Sequence, residues 1–295
     1  MANNMIHIGN VDIVSITDAV IDHPLGLDHI FPDVTPADWE PYRQRYPLAF
    51  GGSNIWRVQF GGYLVRSQGR TILVDTGLGP SGALIGAYLP TPIHIHPPVH
   101  LLENLKNAGA SPDEVDTVVL THLHADHVGW NLQSAGNDKR PTFTRARYLI
   151  HQADWDAFTS QPDRFSWLEY AVSPLQALGA LDLTSTDRAL TPEVTALHTP
   201  GHTPGHMSML IESDGQYALI GGDVVVHPAQ VTEPTWRFAA DMDAQRACST
   251  RRDTLDRIEA EGMALAARHF PEPGFGRLIR LEGRRYWQAV WETPR

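Results

Sequence analysis

Thr121-His122-Leu123-His124-Ala125-Asp126-His127 gathers three imidazoles and a carboxylate into one short segment, directly behind the apolar run at residues 115–120. Such a run reads as a short buried strand, and a loop at a strand end gives functional groups a rigid base. Imidazole nitrogen and carboxylate oxygen are the donors that zinc and related divalent ions take. The spacing is not His-Glu-x-x-His, in which both histidines share a helix face. His122 and His124, two residues apart, point the same way from extended backbone, whereas Asp126 and His127 turn onto a neighbouring position at the start of a helix. That arrangement favours two adjacent metal ions over one. The alternative, a solvated histidine-rich loop, is disfavoured because so dense a pattern is rare by chance in a chain with 15 His among 295 residues.

Outward from this segment, strand and helix signals alternate, which implies an α/β fold. Residues 6–16 carry the β-branched side chains of a strand, and residues 22–53 read as an irregular arm rich in Pro and aromatics, among them Phe31, Trp39, Tyr42 and Tyr46. Trp56, Val58 and Phe60 alternate with polar residues as a half-buried strand does, and 63–66 with 71–74 form a hairpin around Gln68-Gly69. A Gly/Pro-rich stretch, 77–98, holds His94 and His96. A helix is expected over 101–108, closed by Gly109. In the second half, strands are expected at 194–197, 207–211, 217–220 and 264–267, with a helix over 243–261 capped by Asp241 or Asp243. One domain spans 1–295, with the arm inside 1–53.

Composition narrows the partners. Hydrophobic residues at 42% and charged ones at 19% support a packed core. A net charge of −11 argues against nucleic acid or an anionic membrane as partner. Cys248 is the only cysteine, which excludes an intrachain disulfide and a cysteine zinc site. No basic segment followed by an apolar one stands at the N-terminus, and no run of about 18 apolar residues occurs. The expectation is a cytoplasmic protein acting on a small molecule, with a homodimer through the arm as one option.

More ligand candidates follow strands. Asp75 ends 71–74, His202 lies in the loop Thr199-Pro200-Gly201-His202-Thr203-Pro204-Gly205-His206, Asp223 ends 217–220, and His269 ends 264–267. Each alone is weak, since an Asp after a strand is usually a turn residue; their order and repeated placement strengthen the set. With these motifs the sequence resembles the metallo-β-lactamase-fold metallohydrolases, over about residues 50–275. His-Ala-Asp-His-Val-Gly-Trp-Asn (124–131), Arg-Ala-Arg-Tyr (145–148), Gly-His-Thr-Pro-Gly-His (201–206) and His-Phe-Pro-Glu-Pro-Gly-Phe-Gly (269–276) are similar to the branch containing methyl parathion hydrolase and related lactonases.

The resemblance implies a four-layer αβ/βα sandwich with two divalent metals at the strand ends, Zn2+ first and Mn2+, Co2+ or Fe2+ as options. It implies His122, His124 and His202 on one metal, Asp126, His127 and His269 on the other, Asp223 bridging both, and Asp75 orienting a ligand histidine. The activity it implies is attack by a metal-bridging hydroxide on a small ester, lactone or organophosphate triester, with Asp126 passing a proton to the leaving group. Val226 departs from the acyl-homoserine lactonases, which carry tyrosine there, and weakens that substrate assignment; His227 is a candidate substitute. A β-lactamase is disfavoured by the bridging Asp223, a ribonuclease by charge, and glyoxalase II by the lack of its C-terminal basic residues. An idle metal-binding or sensing module is the reading from outside enzymology. No Gly-x-Ser-x-Gly elbow occurs, and Cys248 falls within the expected helix as a packing residue. Trp130, Trp155, Trp167, Trp236 and Phe238 are candidates for the substrate pocket, with core packing as the alternative for each, as are His227 and His151, the latter with capping of the next element as its alternative; His198 and His206 are candidates for structural hydrogen bonds. His94, His96 and His100 read as a mobile loop with exposed histidines, with a lid over the site as the alternative.

Overall fold

The computed structural model describes residues 4–86, 91–135 and 138–290, so Met1, the middle of the 77–98 stretch and the last five residues lie outside the described set. Period-two alternation builds the core. Ile72 and Val74 of strand Arg70–Val74 face a second sheet, whereas Leu73 between them faces outward. The same division separates Val119 from Val118, and Ile220 from Leu219. The inward residues of one sheet pack on Met209, Ile211 and Ala266 of the other. The outward faces are covered by helices, including Leu101–Asn107 through Leu101 and Leu105, and Ala244–Ala260 through Leu255 and Ile258. The result is the αβ/βα sandwich.

The first sheet runs in the order Met5–Ile8, Val11–Gly26, Ile55–Ser67, Arg70–Val74, Thr117–Val119, Arg147–His151, Leu181–Thr184, with Phe50–Gly52 attached to Ile55–Ser67. The second comprises Arg188–Thr191, Val194–His198, Met207–Ser213, Gln216–Ile220, Ala264–Ala266, Phe275–Leu281 and Arg284–Ala289. Arg70–Val74, Thr117–Val119 and Arg147–His151 run parallel, as do Gln216–Ile220 and Ala264–Ala266. Their carboxyl ends open at one edge of the sandwich, where α/β sheets place their ligands. Asp75, His122, Asp223 and His269 each lie a few residues beyond such an end.

Several expectations change. Residues 6–16 form two strands around a turn at Gly9, whose φ of 57° disfavours side chains and where a Cβ would come within 2.4 Å of the Ser213 carbonyl oxygen. Strand Ile55–Ser67 runs unbroken where two shorter strands were expected, and its hairpin turn at Gln68 (φ 51°) and Gly69 (φ 73°) is as expected. The C-terminal strands Phe275–Leu281 and Arg284–Ala289 gave no signal, because exposed arginines interrupt their apolar residues. The 77–98 stretch contains the ribbon Ala83–Ile85 with Ile93–Ile95. The helix is Ala244–Ala260, and its cap is Asp243, which accepts from Arg246 N at 2.9 Å.

The arm is not irregular. Val11–Gly26 extends into it, and Leu27–Ile30 and Glu40–Arg45 are helical. Its aromatics are buried within the chain: Trp39 meets Trp236 edge-on at 4.8 Å, and Tyr42 donates to Glu233 at 2.6 Å. At the centre of this cluster lies His227, ringed by Phe31, Trp39, Phe50 and Trp56 at centroid distances of 5.0–6.1 Å. Asp18 secures the other side. Its carboxylate accepts from Leu78 N, Leu101 N and Trp130 Nε1 at 2.8, 2.8 and 3.0 Å, fixing the 77–79 loop to the start of helix Leu101–Asn107.

Burial pushes the His227 imidazole down to about 3. Below the ordinary value of about 6.5 an unfolded chain takes up a proton that the folded chain refuses, so this residue lowers stability as pH falls from about 6.5 toward 3. Urea unfolding of wild type and His227→Leu at pH 6 and pH 4 measures this. Wild type is expected to lose about 1.4 kcal/mol per pH unit more than the variant; parallel pH dependences refute it.

Candidate metal centre

Four imidazoles are set by the hydrogen bond each makes on its outer side. His202 Nδ1 donates to Asp241 Oδ1 at 2.9 Å, His127 Nδ1 to Asp75 Oδ2 at 2.9 Å, and His269 Nδ1 to the Gln59 carbonyl at 2.9 Å. Thr121 Oγ1 gives its proton to Asp75 at 2.8 Å, so it accepts from His122 Nδ1 at 3.0 Å. In every case the outer nitrogen carries the ring proton and Nε2 turns a lone pair inward. Asp75 adopts φ 63°, a conformation Asp tolerates better than most residues, and also accepts from Thr121 N at 2.7 Å.

The inward atoms fall into two groups. His122 Nε2, His124 Nδ1 and His202 Nε2 lie 2.9–3.2 Å from one another. Three mutually adjacent imidazole nitrogens cannot satisfy each other with protons, whereas donors on a tetrahedral zinc stand about 3.3 Å apart. His127 and His269 Nε2 lie 3.5 and 3.6 Å from Asp126 Oδ2. Asp223 spans both groups: Oδ1 is 3.4 and 3.3 Å from His127 and His269 Nε2, and Oδ2 is 3.3 Å from His202 Nε2. His127 Nε2 and Asp223 Oδ1 are buried with no hydrogen-bond partner among the described residues. Such orphans are costly unless a cation engages them. The donor set therefore fits two divalent ions.

Electrostatics agrees. Burial, reinforced by neighbouring imidazoles, holds His122 well below the ordinary value and His124 at about 3, keeping both in the neutral form that ligates. Burial opposes charge on His127, yet Asp223, Asp126 and Asp75 hold it well above the ordinary value. That side of the centre demands positive charge.

The loop bearing His202 is pinned by Asp154, which accepts from Thr203 Oγ1 at 2.9 Å and Gly205 N at 2.5 Å. His206 Nε2 accepts from Asp223 N at 2.9 Å, a structural role, and Gly222 is required beside it: its φ is 54°, and a Cβ there would come within 2.5 Å of that nitrogen. His198 likewise donates to the Pro204 carbonyl at 2.9 Å.

Above the donors opens a cleft walled by Trp56, Phe60, Ile85, Phe165, Trp167 and Phe238 and floored by His124, Asp126, Asp223 and His269. Of the pocket candidates Trp167 and Phe238 line it. Trp130 is held away by Asp18, His227 by its aromatic cage, and Trp236 by Trp39 and Tyr42. His151 caps helix Gln152–Thr159, accepting from Ala153 N at 3.2 Å, and stacks on His198. His94 is exposed and donates to the Ser81 carbonyl, while His100 precedes helix Leu101–Asn107. Sequence reasoning missed Asp241, the Gln59 carbonyl and His23, which enters the cleft from the arm. None has a local signature; Asp241 lies 39 residues from His202.

Residues 62–262 match the model of the metallo-beta-lactamase superfamily. The chain belongs to that superfamily. A curated N-acyl homoserine lactonase from Bacillus sp. is 28% identical over 159 residues, covering 52% of this chain and 58% of that relative, so the match spans little more than half the relative's length. Among solved structures, the hydrolase AbOPH of the β-lactamase superfamily superposes with a TM-score of 0.81 at 22% identity, covering 99% of both chains. The dizinc quorum-quenching lactonase AidC gives 0.78 at 20%, covering 98% of both. At these identities the two structures establish the fold.

Asp241 also meets Arg251 Nη2 at 3.2 Å, and neither side chain is exposed. Replacing Asp241 with Asn weakens the acceptor for His202 Nδ1 and leaves Arg251 short of charge. Chelator competition is expected to show metal affinity reduced about 10- to 100-fold; unchanged affinity would mean that Asp241 serves only Arg251.

Proposed function

We propose that this chain is a metal-dependent hydrolase of lactones and small carboxylic esters bearing an apolar group. The observation that carries this is Asp223, whose two carboxylate oxygens face two separate donor groups on the floor of an apolar cleft. His122, His124 and His202 with Asp223 Oδ2 would hold one ion; Asp126, His127 and His269 with Asp223 Oδ1 would hold the other. Two divalent ions bound there, zinc on this nitrogen-rich set, would supply an activated water and a Lewis acid for the substrate's carbonyl oxygen.

The protein's own groups do the rest. Asp75, Asp241, Thr121 and the Gln59 carbonyl keep four imidazoles in the ligating tautomer. Asp126 is the floor carboxylate most open to the cleft, its side chain 18% exposed against 4% for Asp223, and moves a proton to the leaving oxygen. Trp56, Phe60, Phe165 and Phe238 bind the apolar part of the substrate and displace water from the floor. The kinship with N-acyl homoserine lactonases supports a lactone as one such substrate.

Initial rates on an aryl carboxylic ester, an acyl-homoserine lactone and an aryl phosphotriester, each with a chelator-treated control, test this. Ester or lactone is expected to exceed the phosphotriester at least tenfold, with turnover lost on chelation and reduced about 100-fold or more in Asp223→Ala. A folded Asp223→Ala protein at wild-type rate, or a two-metal protein that turns over neither ester nor lactone, overturns the proposal.

A further inference from the structure

The cleft has apolar walls, and at the position following Asp223 by three residues Val226 offers no side-chain donor. His227 beside it is fully buried, and its Nδ1 accepts from Ala229 N at 3.1 Å. The neutral polar group that does reach the cleft comes from the opposite end of the chain. His23 lies near the end of strand Val11–Gly26, where pairing with Ile55–Ser67 lapses between Asp22 and Gly26. The lapse frees Leu25 from the sheet ladder, and His23 Nδ1 lies 3.2 Å from the Leu25 N and 3.3 Å from the Leu25 carbonyl oxygen.

His151 and His227 accept through Nδ1 from the N–H two residues on, and the same tautomer at His23 puts its ring proton on Nε2. The ring is stacked on Trp56 at 5.9 Å and 23°, and Trp56 in turn meets the edge of His269 at 5.9 Å. Among the described residues no protein group takes a hydrogen bond from His23 Nε2. The other indole of the cleft wall, Trp167, already donates to the Leu123 carbonyl at 2.8 Å, and Trp56 Nε1 is buried. A plane held by stacking and an Nε2 with no partner among the described residues, in a cleft shared with Asp126 and His269, make a positioned donor once Nδ1 accepts from Leu25 N.

We propose that His23 donates a hydrogen bond from Nε2 to an oxygen of the substrate's ester or lactone group, which makes it a catalytic residue supplied by the N-terminal arm. This rests on the hydrolase reading above. The donor is neutral, so it favours an uncharged acyl or ring oxygen in the ground state and strengthens as negative charge develops there.

Two variants separate the donor from the ring. His23→Phe keeps a ring to stack on Trp56 and removes the N–H; His23→Gln restores an amide N–H without the ring. With metal content and melting temperature matched to wild type, kcat/KM of His23→Phe on the preferred ester or lactone is expected to fall at least about tenfold, most of it in kcat. His23→Gln is expected to recover part of that loss. Binding of the hydrolysis product, followed by tryptophan fluorescence, is expected to weaken in His23→Phe and recover in His23→Gln in the same order. Wild-type kinetics in His23→Phe, or a loss that His23→Gln does not relieve, overturns the assignment while leaving the hydrolase standing. A two-metal wild type inactive on every ester and lactone overturns the hydrolase reading, and this assignment with it.

Discussion

Donor atoms of like polarity must be held together against their own repulsion, and most of this structure serves that requirement. Three imidazole nitrogens within 3.2 Å of each other, and a carboxylate facing histidines on both its oxygens, would separate if left to themselves. They are held by restraints one shell out: Asp75 on Thr121 and His127, Asp241 on His202, the Gln59 carbonyl on His269. These restraints are buried in turn, where hydrogen bonds are strong and a lost partner is costly. Arg251 shows how far the support extends. Its guanidinium is wholly buried, paired with Asp241 and bonded to the carbonyls of Val224, Pro234 and Trp236.

The sandwich supplies the geometry for this. Parallel strands end together, so residues far apart in sequence leave the sheets at one edge. Strand alternation keeps one face of each sheet for the other, and the residue after the last core position is free to turn into the site. Asp75 follows Val74 in that way, and its backbone N still bonds to the Val119 carbonyl.

The arm is the element that individualises the cleft. Phe31, Trp39, Tyr42 and Tyr46 bury themselves against the second half of the chain and carry Trp56 and His23 into the wall. Because the arm packs on Trp236 and encloses His227, the cleft wall and the arm are one packed unit, so changes in either reach the substrate side.

The sequence by itself determined the α/β class and the metal-type donors, because strand-to-loop transitions and the dense His/Asp segment are local patterns with a physical meaning of their own. It also located the hairpin at Gln68-Gly69 and the helix over 243–261, with its N-cap narrowed to Asp241 or Asp243, since turns and caps are settled within a few residues. Only the tertiary structure decided which side chains face the cleft. Trp130, His151, His227 and Trp236 have the composition of a pocket but are claimed by Asp18, a helix cap, an aromatic cage and the arm. His23 and Asp241 have no such signature, yet one lines the cleft and the other holds His202. The reason is physical: a residue's type and near neighbours fix what it can bond to, but its partner is fixed by long-range packing, and in a buried site the partner decides which atom is left to act.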